Sequence, residues 1–300
     1  MRGAVGIVAL CLALAFAWGV FCAPAAAKLK VVCEISDLGY FAKRIAGDLA
    51  EITVLCPGAI NPHFLEARPS HVRATAEADL FLEIGLSCVP AAREIRKAAA
   101  NPRLRVVVCS KGVKVRDVPR ERIDPSQGHL HPFGNPHIWL SPRNAMIIVG
   151  NVLNAFRAVD RAHADVYTAN ARKLLQEIQQ RTKDWQRRMA PFKGKTYVSY
   201  HQTYEYFADF FGVRRACTLE EKLGVPPSAA HVRHVIETVN ANDTRLILQE
   251  VFYPGGAAKS VAADTKAKVI ISPTSTGALG TKSWFDVIER LVRAFEEAYK

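Results

Sequence analysis

The segment AHADVYTANARKLLQEIQQRTKDWQRRMA spans residues 162–190 and decides the fold. Its apolar residues recur three, four or seven positions apart, which is the spacing of one helix face: Tyr167, Ala171, Leu174, Ile178, Trp185 and Met189. Pro191 and Gly194 follow the segment and end the pattern. At 1.5 Å per residue the helix would be roughly 40 Å long. The segment therefore predicts a rigid connection between two parts of the chain.

Short apolar runs that alternate with helical patterns precede this helix. The predicted strands are Leu29–Ile35, Ile52–Cys56, Leu80–Ile84 and Leu104–Cys109. The predicted helices are Leu38–Leu49, Ser70–Glu77 and Val89–Ala99, with a further helix after Pro142. Such alternation favours a parallel sheet covered by helices.

The same alternation restarts after the long helix. The predicted strands are Thr196–Tyr200, Leu246–Val251, Val269–Ile271 and a weaker one at Val213–Leu219. The predicted helices are Tyr204–Phe211, Ser228–Asn240, Ala257–Lys266 and Trp284–Tyr299. The expected fold class is therefore α/β, with two lobes that each contain a mainly parallel four-stranded sheet flanked by helices. The predicted boundaries are 28–161 for the N-terminal lobe, 162–190 for the linking helix and 191–300 for the C-terminal lobe.

The first residues predict a signal peptide for export. Arg2 gives a positive start, Ala4–Cys22 is apolar, and Ala25–Ala27 supplies the small residues that a signal peptidase needs. We expect residues 1–27 to be removed, so that the mature protein begins at Lys28. An uncleaved membrane anchor is the alternative, because the apolar run is nearly long enough to span a bilayer.

Composition fits a globular protein, with 49% hydrophobic and 23% charged residues. The formal net charge of +12 comes from scattered basic residues without interleaved aromatic side chains, so nucleic-acid binding is not expected. Five cysteines follow the signal segment without CxxC or zinc-finger spacing, so the sequence leaves their disulfide state open: Cys33, Cys56, Cys88, Cys109 and Cys217.

The tripeptide Asn-Pro-His occurs twice, at residues 61–63 and 135–137. His63, His137 and a third histidine, His201, each follow a strand-like segment. Ligands of open α/β sheets bind beyond the carboxyl ends of the strands, so the three imidazoles are expected to meet in the cleft between the lobes. Imidazole ligands favour zinc, copper, nickel or iron over manganese, and zinc is commonly bound by three histidines.

Three motifs resemble the ligand motifs of solute-binding proteins that serve zinc and manganese ABC importers, the ZnuA/TroA-like family. They are NPHFLEARPS at 61–70, NPHIWLSP at 135–142 and YHQTYEYFA at 200–208. The resemblance covers the whole mature chain and implies that His63, His137 and His201 bind the metal. It also implies a periplasmic, monomeric receptor that delivers Zn²⁺ to a membrane permease with a cytoplasmic ATPase. Manganese members usually carry a carboxylate at the third position, so His201 points to zinc, with Mn²⁺ a weaker candidate.

The fourth position of the site departs from the family. Many members carry an aspartate late in the chain where this sequence has Ser272. A water, the Ser272 hydroxyl, Glu66 or Glu205 would have to complete the coordination. Zinc members often carry a histidine-rich loop before the second motif, and this chain has only His129 and His131 there, which could capture metal in an accessory role.

Three other functions remain open at this stage. One is a manganese or iron receptor of the same family. Another is an exported zinc hydrolase, since three histidines with an open fourth position also form a catalytic site. The sequence has no HExxH or GxSxG motif, so we expect a protein that is not an enzyme. The third open function is that of an extracellular adhesin built on the same fold.

Overall fold

A computed structural model describes residues 28–119 and 131–300, so the predicted signal peptide lies outside the described residues. The chain forms two four-stranded sheets, and every strand pair in them is parallel. This confirms the predicted α/β class. Within the described ranges no helix is both long enough and apolar enough to cross a membrane.

The first sheet has the strand order β2-β1-β3-β4. Its strands are β1 (Leu29–Ile35), β2 (Ala50–Cys56), β3 (Leu80–Glu83) and β4 (Arg105–Val108). The connecting helices are α1 (Ser36–Ala46), α2 (Pro69–Ala76) and α3 (Ala91–Ala99). All four strands lie within two residues of the predicted bounds, because each is a short Val-, Ile- and Leu-rich run with clear breaks on both sides.

The second sheet repeats the arrangement with the order β6-β5-β7-β8. Its strands are β5 (Thr196–Ser199), β6 (Arg214–Thr218), β7 (Leu246–Glu250) and β8 (Lys268–Ser272). The helices of this half are α6 (Glu205–Phe211), α7 (Ala229–Ala241), α8 (Gly256–Ala263) and α9 (Trp284–Tyr299). The strand that the sequence signalled only weakly, β6, pairs with β5 through a shift in register between Tyr197 and Val198.

Two helices connect the sheets. Helix α4 (Pro142–Val159) is followed by the 26-residue helix α5 (Ala164–Met189), as the apolar periodicity predicts. All six of the apolar positions that define the predicted helix face are buried. Arg188, near the end of α5, forms ion pairs with Glu289 and Glu296 of α9.

One hydrophobic cluster extends from the first sheet to the second. It includes Val31 and Leu80 of the first sheet, Trp185 of α5, and Tyr197 and Leu248 of the second. The two sheets are therefore held by shared apolar packing and not only by a chain connection.

Buried polar contacts add to this packing. The indole N–H of Trp139 donates to the carbonyl of Thr274 at 2.7 Å, and that of Trp284 donates to the carbonyl of Trp139 at 2.7 Å. Thr276 donates to Asp37 through its backbone N–H and its hydroxyl, at 3.2 and 2.9 Å. These bonds fix the loop after β8 against helix α1 and the segment before α4.

All five cysteines of the described residues are free thiols. Four of them, Cys33, Cys56, Cys88 and Cys109, are buried. Burial raises the pKa of these thiols, and a buried thiol with a raised pKa is an unreactive packing residue.

Candidate metal centre

Four histidine side chains converge where the first sheet meets the second: His63, His131, His137 and His201. One nitrogen from each ring lies within 4.8 Å of the corresponding nitrogens of the other three. The Nε2 atom of His63 is 3.3 Å from that of His137 and 3.4 Å from that of His131. The Nε2 atoms of His131 and His201 are 3.2 Å apart.

These separations match the edges of a zinc tetrahedron. Four nitrogens at about 2.0–2.1 Å from a Zn²⁺ ion would be roughly 3.3–3.4 Å from one another. When neither nitrogen of a facing pair carries a proton, the two lone pairs cannot hydrogen-bond to each other. A cation between them can bind both. The arrangement can hold a tetrahedral metal ion.

Asn61 positions the first of these histidines. His63 lies in a single 3₁₀ turn, Pro62–Phe64, whose N-cap is Asn61. The Asn61 Oδ1 atom accepts the backbone N–H of His63 at 3.0 Å, and its Nδ2 donates to the Tyr253 hydroxyl at 3.2 Å. Since Tyr253 follows β7, the asparagine links the His63 turn to the second sheet.

Asn135 does the same for His137 and also contacts its ring. Its Oδ1 accepts the backbone N–H of His137 at 3.0 Å and lies 2.9 Å from Nδ1 of the same residue. A proton on Nδ1 therefore leaves the Nε2 lone pair free to face the cluster. The Asn135 Nδ2 donates to the carbonyl of Gln202 at 2.8 Å, beside His201. In both Asn-Pro-His motifs the proline stiffens the turn and the asparagine connects the two halves.

His201 lies two residues after β5, and buried carboxylates contact it at two points. Its backbone N–H donates to Glu250 Oε1 at 3.3 Å, and its ring Nδ1 is hydrogen-bonded to Glu220 Oε1. Burial raises the pKa of both Glu220 and Glu250 to about 8. Neither acid had been singled out in the sequence, although Glu220 follows the carboxyl end of β6, where ligands of α/β sheets gather.

Burial also keeps the imidazoles neutral. It lowers the pKa of His131 and of His201 to about 3, with smaller contributions from the charges of His201 and Arg215 respectively. Burial, followed by the charges of the three other rings, holds the pKa of His137 well below its ordinary value. Neutral imidazole is the form that binds metal, so these three rings need not lose a proton to do so at neutral pH.

The other candidates for the fourth position have partners of their own or face solvent. Ser272 is buried at the end of β8, where its hydroxyl donates to the carbonyl of Pro273 at 3.2 Å. Glu66 is exposed, and Glu205 is hydrogen-bonded to Arg215. No carboxylate of residues 28–119 and 131–300 joins the histidine group. His129 lies outside the described residues, whereas His131 is a full member of the group.

A family model described as ZnuA, "Zinc-uptake complex component A periplasmic", matches residues 31–298. The chain belongs to this family. It is 25% identical over 261 residues to the high-affinity zinc uptake system protein ZnuA of Paracoccus denitrificans, covering 76% of this chain and 78% of that protein. It is also 22% identical over 260 residues to the zinc-binding protein AdcA of Streptococcus pyogenes. That match covers 82% of this chain but only 50% of AdcA.

The fold has close counterparts among solved structures. A crystal structure of a 138–173 deletion mutant of ZnuA with zinc bound superposes with a TM-score of 0.79 at 24% identity. The match covers 91% of this chain and 98% of that one. The superposition extends over both sheets and confirms the two-lobed ZnuA-type architecture.

Proposed function

We propose that this chain is a zinc receptor that binds one Zn²⁺ between its lobes through His63, His131, His137 and His201. Three Nε2 separations of 3.2–3.4 Å carry the proposal, because they are close to the ligand–ligand distances of a tetrahedral zinc ion. The zinc-uptake family to which the chain belongs supports it independently.

Four neutral imidazoles favour zinc over the alternative metals of the family. Manganese prefers oxygen ligands and a higher coordination number, whereas no carboxylate of the described residues joins the group. A catalytic zinc keeps one position open for water. The fourth histidine closes that position, so the site is that of a receptor and not of a zinc hydrolase.

The receptor is exported to the periplasm and delivers Zn²⁺, as a monomer, to a membrane permease driven by a cytoplasmic ATPase. The family description names both a zinc-uptake complex and the periplasm, and residues 1–27 have the pattern of a signal peptide.

Export predicts a defined N-terminus. Protein recovered from the periplasmic fraction should begin at or near Lys28, because Ala25–Ala27 is the small-residue stretch that follows the apolar run. Intact-mass spectrometry measures this directly. A mass that retains residues 1–27 would instead indicate a membrane-anchored protein.

Metal titration tests the receptor function itself. We expect the metal-free protein to bind one Zn²⁺ per chain and to prefer Zn²⁺ over Mn²⁺ by roughly 100-fold or more, since imidazole ligands follow the order of affinities in which manganese is weakest. Isothermal titration in the presence of a competing chelator gives the stoichiometry and both affinities. Tighter binding of Mn²⁺ than of Zn²⁺, or no saturable binding, would contradict the proposal.

A further inference from the structure

The loop after β6 brings Glu220 beside the third histidine. Strands β5 and β6 pair in parallel with Ser199 opposite Thr218. Two further hydrogen bonds extend this pairing past the strand ends, from Leu219 N to Ser199 O at 2.8 Å and from Glu220 N to Tyr200 O at 3.0 Å. The backbone therefore holds Glu220 next to His201, and only 5% of Glu220 is exposed.

The Glu220 side chain is fixed at both oxygens. Oε1 is hydrogen-bonded to Nδ1 of His201, and Oε2 lies 3.4 Å from the backbone nitrogen of Gly224, which donates to it. With its proton on Nδ1, His201 presents the lone pair of Nε2 to His131, 3.2 Å away. The hydrogen bond to Glu220 thus selects the tautomer and the ring orientation that a metal ion needs.

The same loop is held from the opposite half of the molecule. Gly224 has φ of +77°, and a Cβ atom at this position would lie 2.8 Å from the ring of Phe64. Phe64 directly follows His63, so the loop that carries Glu220 packs against the turn that carries another histidine of the cluster. Residues of both halves therefore set the position of this carboxylate.

The Nδ1 atoms of His137 and His201 have chemically different partners. At His137 the Nδ1 partner is the neutral amide of Asn135, whereas at His201 it is a carboxyl group. Glu220, His131 and His201 also line one small cavity of about 30 Å³, so open space and not packed side chain adjoins all three.

We propose, building on the zinc-receptor function above, that Glu220 is a positioning residue that holds the His201 ring in the orientation needed to bind Zn²⁺. Glu220 thereby connects the loop after β6 to the histidine cluster. Glu220 acts through His201 and is not itself a ligand.

Two substitutions test the hydrogen bond to His201. Glu220→Leu removes the partner of Nδ1 at similar size, and Glu220→Gln keeps an oxygen that can accept from it. Glu237→Gln is the control, since Glu237 is an exposed acid on α7. We expect Glu220→Leu to weaken Zn²⁺ binding by about 10- to 100-fold, Glu220→Gln to restore most of that loss, and the control to match the wild type.

The measurements are Zn²⁺ competition titrations of all four proteins and absorption spectra of their Co²⁺ complexes. Altered Co²⁺ bands in Glu220→Leu, with tetrahedral bands retained in Glu220→Gln, show that the hydrogen bond sets the orientation of His201. Wild-type affinity in Glu220→Leu, or an affinity in Glu220→Gln no higher than in Glu220→Leu, would overturn the proposal. Either result leaves the receptor function intact as long as the wild type binds one Zn²⁺, whereas a wild type that binds none refutes the receptor function itself.

Discussion

Replacing His137 with alanine is expected to lower the Zn²⁺ affinity by roughly 100- to 1000-fold. Four-ligand structural zinc sites are worth about 10–16 kcal/mol, so one ligand contributes on the order of 3–4 kcal/mol. His137 is only 3% exposed, and Asn135 holds both its backbone N–H and its ring. Without it, the remaining three imidazoles would share the ion with a water.

His234→Ala is the control for this substitution. His234 is exposed on α7 and lies outside the histidine group, so its loss should leave the affinity unchanged. Zinc competition titrations measure both variants, and urea unfolding of the metal-free proteins shows whether the fold is retained. Equal affinities for the two variants would mean that the cluster is not the zinc site.

The second large effect concerns Glu34, a buried carboxyl group in the middle of the first sheet. It is 2% exposed on β1, and its Oε2 accepts the backbone N–H of Ile84 at 2.6 Å. Burial, helped by the charge of Glu83, raises its pKa from 4.5 to about 8, although Arg96 and nearby N–H groups oppose the shift. The folded protein therefore keeps this proton at pH values where the unfolded chain has lost it.

The sign of the effect on stability follows from this difference. Protonated Glu34 contributes to the free energy of unfolding. This contribution is complete below pH 4.5 and is lost as the pH rises towards 8, at about 1.4 kcal/mol per pH unit. Glu34→Gln cannot ionise and avoids that loss. Relative to the wild type, we expect its free energy of unfolding to increase by roughly 3 kcal/mol between pH 5 and pH 8.

Urea unfolding of the metal-free proteins at pH 5, 6.5 and 8 tests this expectation. Other buried acids, such as Glu250 and Asp37, titrate in both proteins and cancel in the difference. Glu94→Gln, a change of an exposed acid on α3, should follow the wild type at every pH. Parallel profiles for Glu34→Gln and the wild type would mean that Glu34 is already ionised in the folded protein.

The fold could be predicted from the sequence because its signals are local. Each strand is a short apolar run, and the 26-residue helix α5 has an apolar face at helical spacing with a clear end. The strand ends in turn place His63, His137 and His201 at the same edge of the molecule, since the carboxyl ends of parallel strands point one way.

The remainder of the site depends on tertiary structure. His131 lies in a connection without an Asn-Pro turn to aim it, and only the path of the chain between β4 and α4 brings it to the other rings. Glu220 could have been suspected only after β6, the weakest strand signal, had been paired correctly with β5. Asn61 and Asn135 are visible in the motif, but their hydrogen bonds to the opposite half are not.

The hydrophobic cluster shared by the two sheets sets a limit on how cargo can be loaded and released. A wide hinge motion would expose apolar side chains such as Trp185 and Tyr197 to water. Exposing even 200 Å² of apolar surface costs about 5 kcal/mol, which is comparable to the whole stability of many domains. A wide hinge motion is therefore disfavoured, and the loaded and empty forms are expected to differ mainly in the loops at the mouth of the cleft.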